Sequence, residues 1–412
     1  MFFNLERARG LMKQFGIDVL VASTPENVTY LSGSVSWSHK VYSYSVHMFG
    51  IFPRDEGVSP ALVVPNQEAT YLSAQNSWIK EHYAYGAKSA LVVPQGEAPT
   101  NDEEATFLGI MNNDGRRKGG AAASLAQALK ERGLEKARIA LDGERILAGL
   151  DRQIREALPA ADIVEGADLF RLIRMVKTPD ELQAMRAAAA LNERAATAAS
   201  NAVAAGATEK EVATVYYTEV SRGGGRWHWY HFGSGRRSMA IFPPTHKKIQ
   251  KGDMWVFDAG LTLNDYRADT GWGGVIGEPA KRQLQLWDAS KAGYDAALSV
   301  VKAGVLPSQI FRAALKATQA LLPGHDGRFC GHAIGLEARE LPYVLADPGP
   351  IQSPFLPPTT DIPLEEGTTI CVENPCRMFG VGGASEEQTL VVTRTGYEFL
   401  VPGDRKFWEI PA

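Results

Sequence analysis

Four short segments in the second half of the chain carry residue types that hold metal ions. Asp258 ends the apolar run Trp255, Val256, Phe257, and Asp269 follows eleven residues later. The polar pair Asn264 and Asp265 lies between them, so a hairpin turning there sets both carboxylates on neighbouring strands. His332 stands between Gly331 and Gly335, in a segment that runs on to Arg339 and Glu340. Glu373 closes the run Ile370, Cys371, Val372, and Glu387 follows Glu386 and precedes Thr389. A glycine-rich stretch centred near Gly380 separates Glu373 from Glu387, so a second hairpin lets those two face each other. Four carboxylates and one imidazole in one place need cations to offset their charge. Two divalent ions do so. Oxygen-rich ligation with one histidine suits Mn²⁺, Co²⁺, Fe²⁺ or Zn²⁺ and does not choose among them; manganese is the leading expectation. Two such ions can activate a bridging water, polarise a carbonyl and clamp a tetrahedral intermediate. Taken singly, each residue has a plainer role: a turn cap, a structural histidine, a solvated strand edge. Only the order and spacing of all five indicate a metal centre.

The elements that must position these residues can be read from pattern. In the first third, apolar runs alternate with helical stretches, which indicates an α/β domain. A helix ending near Gly16 leads into a strand at Asp18–Ala22. The runs Ala61–Val64, Ala90–Val93 and Arg138–Leu141 read as further buried strands. Residues 95–120 are polar and glycine-rich and predict a surface loop. The boundary falls near residue 175, giving domains at 1–170 and 171–412. Thr178, Pro179 and Glu181 form a helix start with the grammar of a capping box. That alanine-rich helix is expected to end at Gly206, and Thr208 to Glu211 opens another. A second helix pair is expected at 279–303 and 308–321. β-rich blocks at 227–276 and 366–401 follow the two pairs, so the second domain is α+β.

Composition narrows the function classes. A chain of 412 residues is long enough for two or three domains. Its 45% hydrophobic and 22% charged residues exclude wholesale disorder. A net charge of −4 suits neither a nucleic-acid binder nor a polybasic membrane protein. No apolar run approaches the roughly 18 residues of a membrane span. The first residues are charged throughout and lack the apolar core of a secretory signal. Three cysteines, Cys330, Cys371 and Cys376, are too few for a disulfide framework. These features predict a soluble, reduced, cytoplasmic chain acting on a small molecule or short peptide, without nucleic-acid or membrane partners.

The order Asp258, Asp269, His332, Glu373, Glu387 resembles the ligand set of the pita-bread family of aminopeptidase P, prolidase, methionine aminopeptidase and creatinase. Segments from Gly16 to Gly33 resemble the N-terminal domain of the creatinase and prolidase branch. Arg174 to Glu181 resembles the entry to its catalytic domain. The resemblance implies a pita-bread catalytic domain behind a smaller creatinase-like α/β domain. It also implies a homodimer, in which the N-terminal domain of one subunit helps close the partner's site. On that ground the aromatic segment holding Trp37, His39, Tyr42, Tyr44 and His47 is a candidate pocket wall, with Trp37 as a substrate contact. Glu387 is preferred to Glu386 because it stands two residues before Thr389, as in the family's Glu-Asp-Thr segment. By the same resemblance Glu373 is both a ligand and the acceptor of the nucleophile's proton.

The departures from the family pattern concern the substrate. Arg339 stands where the peptidases carry a second histidine after the metal histidine. Phe242 stands where they carry an upstream histidine, Arg237 where they carry an asparagine, and Trp272 where an arginine is common. Arginine cannot shuttle protons at neutral pH, but it can donate to an oxyanion or a carboxylate. Phe242 can do neither and would, with Trp272, form an aromatic substrate wall. His231, in the aromatic run Trp227 to Phe232, is the candidate to replace a lost histidine in catalysis, with His228 and His246 as alternatives. The leading expectation is a dinuclear hydrolase cleaving an amide-like C–N bond, with Xaa-Pro peptides as the default substrate. The alternative is a repurposed relative acting on a cyclic or aromatic small molecule, as a hydrolase or a lyase. A non-enzymatic binding protein on this fold would be expected to have lost ligands, and here all five are present.

Overall fold

A computed structural model describes residues 2–42, 45–75, 77–87, 90–403 and 406–412. It divides into two compact units, Met1–Ile173 and Arg174–Ala412. No described helix is long and apolar enough to cross a membrane.

The first unit is built on a six-stranded sheet. Its strands are β1 (Val19–Ala22), β2 (Phe49–Pro53), β3 (Ala61–Pro65), β4 (His82–Tyr85), β5 (Arg138–Leu141) and β6 (Asp162–Glu165), in the order β4-β3-β2-β1-β5-β6. β2 runs antiparallel to β1 and β3, and the other pairs are parallel. Continuous apolar runs in β1 and β3 fit strands covered on both faces. Helix α1 (Leu5–Phe15) ends at Gly16, whose φ of 66° closes its last turn. Helix α2 (Pro25–Ser32) starts on Thr24 and is tied to β5 by the buried Asp142. One Asp142 oxygen accepts from the Ser23 and Thr24 amides and from Asn27 Nδ2 at 2.7–3.2 Å. Helix α3 (Trp37–Val41) carries Trp37, whose ring stacks at 4.9 Å on Tyr71 of α4 (Ala69–Ser73). Tyr44 of that segment lies outside the described residues.

Two expectations for this unit are corrected. Residues 90–94 form no strand, and Val92 is 88% exposed. The edge beside β3 is held by β4, so the apolar run has no ladder to join. The stretch 95–120 is not a plain loop, because it contains α5 (Asp102–Met111). Asn101 caps that helix and three acids fill its first turn, which suits the helix dipole. Helices α6 (Ala121–Lys130) and α7 (Ala148–Ala157) then bury Leu125, Leu129 and Ile154 against the sheet. Helix α8 (Ala167–Met175) carries the division between the units.

In the second unit, Thr178 and Thr208 each complete a capping box, opening α9 (Pro179–Asn201) and α10 (Glu209–Arg222). α9 stops before Gly206, which sits in the following turn at φ 90°. The second helix pair is α11 (Lys281–Val300) and α12 (Pro307–Leu321). Strands β7 (Arg226–Ser234), β8 (Met254–Leu263) and β9 (Tyr266–Ile276) follow the first pair. After the second come β10 (Gly331–Ala333), β11 (Thr369–Glu373), β12 (Cys376–Met378), β13 (Gly382–Ala384), β14 (Glu387–Val392), β15 (Tyr397–Phe399) and β16 (Trp408–Ile410). The main sheet runs β10-β11-β14-β9-β8-β7, with β15 on β14 and β16 on β9; β12 and β13 pair separately. The β8–β9 hairpin turns through Asn264 and Asp265, both at positive φ (49° and 66°), as the tight two-residue turn requires.

Strand alternation assigns the two faces of this sheet. Asp269 and Gly271 share one face of β9, so Thr270 and Trp272 take the other. Trp272 is accordingly core and not a substrate contact. It is 3% exposed, packs edge-on against Phe257 at 4.5 Å, and donates its indole N–H to Ser200 Oγ of α9 at 3.0 Å. Tyr216 of α10 stacks on Tyr230 of β7 at 4.6 Å and donates to Asn192 Oδ1 of α9 at 2.6 Å. Asn192 in turn donates to the Ala259 carbonyl of β8 at 2.9 Å, fixing the helix layer to the ligand strands. Trp272→Ala should cost about 3–5 kcal/mol in denaturant unfolding. A loss below about 1 kcal/mol would show that this ring is not part of the core.

Candidate metal centre

Five strands that lie side by side, β10-β11-β14-β9-β8, each bring one of the five candidate ligands. Their register arranges them in two cross-strand rows. In the first row Glu373 faces Glu387, Glu387 faces Gly271, Gly271 faces Asp258, and Asp258 faces His231. In the second, His332 faces Cys371, Cys371 faces Thr389, Asp269 faces Gly260, and Gly260 faces Trp229. Side chains directly opposite one another point to the same side of a sheet. The ladder therefore turns all five candidate ligands to the same side of the sheet.

Two groups of donor atoms converge there. Atoms of His332, Glu373 and Glu387 lie within 4.8 Å of one another, and so do atoms of Asp269, Cys371 and Glu387. Glu387 belongs to both, which is the arrangement of a shared carboxylate between two cations. His332 Nε2 is 3.5 Å from Asp269 Oδ2. Its Nδ1 lies 3.1 Å from the Ala333 carbonyl, which can only accept, so the proton sits on Nδ1 and Nε2 faces the cluster. Glu386 is turned the other way, accepting from Ser290 Oγ of α11 at 2.6 Å, and burial pushes its carboxyl up to about 8. The structure thus brings Glu387, not Glu386, to the cluster.

Asp258 sits nearer the rim. Trp229 Nε1 donates to its Oδ1 at 2.6 Å, and His231 Nδ1 is 3.6 Å from its Oδ2. The indole lies flat over Gly260, where any β-carbon would meet the ring at 2.0 Å. A bulge at His228 shifts the register of β7 and sets Trp229 opposite Gly260. Trp229 was not singled out within the aromatic run Trp227 to Phe232; Gly260, two residues after Asp258, was the available signal.

The donor set fits divalent cations. Asp269 Oδ1 is buried with no hydrogen-bond partner among the described residues. Burial first, then the neighbouring carboxylates, push Asp269 up to about 6 and Glu373 up to about 7, and Glu387 well above the carboxylate range. His332 is raised despite its burial, by Asp269 and Glu373. Gly271 keeps the middle of the first row open, since a β-carbon there would lie 2.9 Å from Glu387 Oε2. Elsewhere in this unit a buried acid has its own cation. Glu340 is held low by Lys177 at 2.8 Å and Arg174 at 3.1 Å although burial alone would raise it.

A cleft above the cluster is lined by His231, Ile241, Asp258, Glu373, Arg377, Ser385 and Glu387 among others. Arg377, exposed on β12, was not singled out from the sequence because it belongs to no ligand motif. Phe242 is not part of this lining. It follows a short 3-10 turn, not a strand, and lies under the Arg237 guanidinium at 4.6 Å, while Arg237 pairs with Glu209 of α10 at 3.2 Å. Its neighbour Ile241 takes the cleft position. Arg339 is exposed on the loop after β10, 6.0 Å from the Phe329 ring, and its charge opposes the rise of Glu373. His246 is exposed beside Lys210 at 3.3 Å. Trp37 belongs to the first unit, in the stack on Tyr71 described above.

Residues 183–394 match the model of metallopeptidase family M24, and residues 4–176 match the creatinase/prolidase N-terminal domain. The chain belongs to metallopeptidase family M24, and membership implies divalent metal ions. It is 24% identical over 245 residues to an Xaa-Pro dipeptidase of Pyrococcus furiosus, covering 58% of this chain and 66% of that one. It is 28% identical over 251 residues to a probable dipeptidase PepE of Mycobacterium tuberculosis, covering 58% and 63%. The matched stretch is thus just under two thirds of these relatives' own length. Among solved structures, the prolidase from Pyrococcus horikoshii OT3 superposes with a TM-score of 0.74 at 19% identity, covering 98% of this chain and 99% of that one. An Xaa-Pro dipeptidase from Bacillus anthracis gives 0.75 at 19% identity, covering 99% of each. These likenesses define the fold.

Two outcomes follow from the centre. Carboxyls raised in the fold bind protons that the unfolded chain has lost, so metal must compete with protons as pH falls. The gain in melting temperature on adding Mn²⁺ to chelator-stripped protein should therefore grow from pH 5 to pH 8; a flat increment would contradict the crowded-carboxylate account. Trp229→Phe keeps a ring but removes the donor to Asp258. Calorimetry should show Mn²⁺ bound about tenfold more weakly, and unchanged affinity would leave the bond a mere tether for the indole.

Proposed function

We propose that the protein is a metal-dependent peptidase of the Xaa-Pro dipeptidase type, acting on short peptides that end in a free carboxylate. The observation that carries this reading is the pair of donor groups sharing Glu387, beneath a cleft that also holds the exposed Arg377. A guanidinium pairs with a carboxylate through two parallel hydrogen bonds, so Arg377 suits the carboxylate end of the substrate. The printed names of the relatives, Xaa-Pro dipeptidase and dipeptidase, point to the same class. Asp258, Asp269, His332, Glu373 and Glu387 hold two divalent ions, with manganese favoured by the oxygen-rich donors. When bound, the ions supply an activated water and polarise the scissile carbonyl. Glu373 accepts the proton of the attacking water at its carboxylate. His231, in the cleft beside Asp258, returns a proton to the leaving nitrogen. Arg339 donates to the developing oxyanion. The resemblance to the family supports a homodimer, with domains at 1–170 and 171–412. Three buried free thiols support a reducing, cytoplasmic setting.

One observation favours a second reading. By resemblance, Arg339 and Phe242 stand where the family has two histidines; Phe242 is lodged under Arg237, and neither side chain can shuttle a proton at neutral pH. A site rebuilt in this way suits a small cyclic or aromatic amide, or an elimination.

A panel of Xaa-Pro dipeptides offered to the Mn²⁺-loaded protein tests both readings. Chelator-sensitive hydrolysis is expected. Arg377→Ala should raise KM about tenfold, or ~1.4 kcal/mol, for free dipeptides but not for their C-terminal amides. No hydrolysis by protein shown to contain metal would transfer the assignment to the second reading.

A further inference from the structure

The centre contains a donor that the carboxylate and imidazole set does not require. Cys371 stands two residues before Glu373 on β11 and so shares its face. In the second row it sits between His332 and Thr389, directly paired with both. Its sulfur is fully buried, 3.2 Å from Glu387 Oε1 and within 4.8 Å of a ligand atom of Asp269. A second, independent feature marks this side of the centre. Asp269 Oδ1 is buried with no hydrogen-bond partner among the described residues, so its lone pairs are free to face a cation. The Thr389 hydroxyl donates to the Asp269 carbonyl at 3.1 Å, holding that strand segment against the sulfur.

We infer that Cys371 is a sulfur donor to the cation held between Asp269 and Glu387, and that it makes the two metal positions unequal. This inference rests on the dinuclear reading above and refines it. The position near His332 and Glu373 is built from nitrogen and hard oxygen. The position near Asp269 adds a soft sulfur, which favours Co²⁺, Zn²⁺ or Cd²⁺ over Mn²⁺. Coordination exchanges the S–H proton for the cation, and that proton passes to solvent. With the S–H gone, Glu387 loses a hydrogen-bond donor and gains the shared cation in its place. The other two cysteines are outside both donor groups.

Cobalt titration of the chelator-stripped full chain reads the two parts of the idea separately. Ligand-field bands in the visible report Co²⁺ held by any of the donors. A near-ultraviolet sulfur-to-cobalt charge-transfer band reports the thiolate alone. The expected result is a charge-transfer band that saturates with one of the two cobalt equivalents. It should vanish in Cys371→Ser and persist in Cys330→Ala. The same Cys371→Ser change should lower the preference for Cd²⁺ over Mn²⁺ about tenfold in competition. Ligand-field bands without any charge-transfer band in the unmodified protein would overturn the sulfur ligand and leave the dinuclear centre standing. Cys371 would then be a hydrogen-bond donor to Glu387 only. Failure to bind cobalt at all would overturn both. The unmodified protein decides the question even if a variant fails to fold.

Discussion

Uncompensated negative charge in a buried place is the constraint on which the catalytic unit depends. Asp269, Glu373 and Glu387 are packed together with one histidine, and burial and mutual repulsion raise all three carboxyls. The same unit shows how an acid is buried when no cation is to be added. Glu340 has Lys177 and Arg174, and Glu209 has Arg237 together with the Ser234 and Thr245 amides. A buried acid left without such partners is strongly destabilising. Glu386, a single buried acid on Ser290, is instead pushed up to about 8, whereas three acids crowded with one histidine call for a counter-charge from outside the polypeptide. A single monovalent cation would leave most of the repulsion in place, whereas two divalent ions match four carboxylates.

The sheet meets this constraint by register rather than by loops. Because side chains alternate, ligands two residues apart or directly opposite share one face, and a one-residue slip would send all of them to the helix side. That explains why the helix layer grips the ligand strands so closely. Asn192 holds the Ala259 carbonyl, Trp272 holds Ser200, and Thr270 donates to Glu193 at 2.7 Å. It also explains the glycines. Gly271 and Gly260 occupy the rows where a side chain would displace Glu387 or the Trp229 ring. The open space of the centre is therefore written partly as missing β-carbons. Ligands on a rigid ladder are placed more sharply than ligands on loops, which suits chemistry at two fixed cations.

Much of this was legible in the sequence because each ligand sits in a pattern with a short period. Asn264-Asp265 marked the first hairpin, and the capping boxes at Thr178 and Thr208 marked α9 and α10. What was missed had a physical reason in each case. Trp272 was compared with a family position, while the two-residue period from Asp269 already turned it to the core. Phe242 lies outside any strand, so no period governed where it would point. Ala90–Val93 had the composition of a strand but no free ladder beside it, and pairing is not encoded in one segment. The helix Asp102–Met111 was hidden by an acidic first turn that reads as loop until its cap, Asn101, is noticed. Cys371 was read only for its redox meaning, although its spacing from Glu373 already placed it on the ligand face.

The division between what is kept and what is changed follows from which groups the cations need. The candidate ligands and their register answer an electrostatic demand that any substrate would share. Groups that touch only substrate are free of that demand. Phe242 lies beneath Arg237, within the Glu209 network, and Arg339 is exposed on the loop after β10. In their place the cleft offers the Arg377 cation and His231, both outside the ligand order. The cleft thus pairs an anionic floor, to be neutralised by metal, with a cationic side chain on its wall. A substrate that satisfies both has a carbonyl for the floor and an anionic end for the wall. A short peptide with a free C-terminus carries those two groups a few bonds apart, whereas a neutral cyclic amide would leave Arg377 without a partner. The charge distribution of the cleft therefore supports the proposed peptide substrate over the cyclic or aromatic alternative.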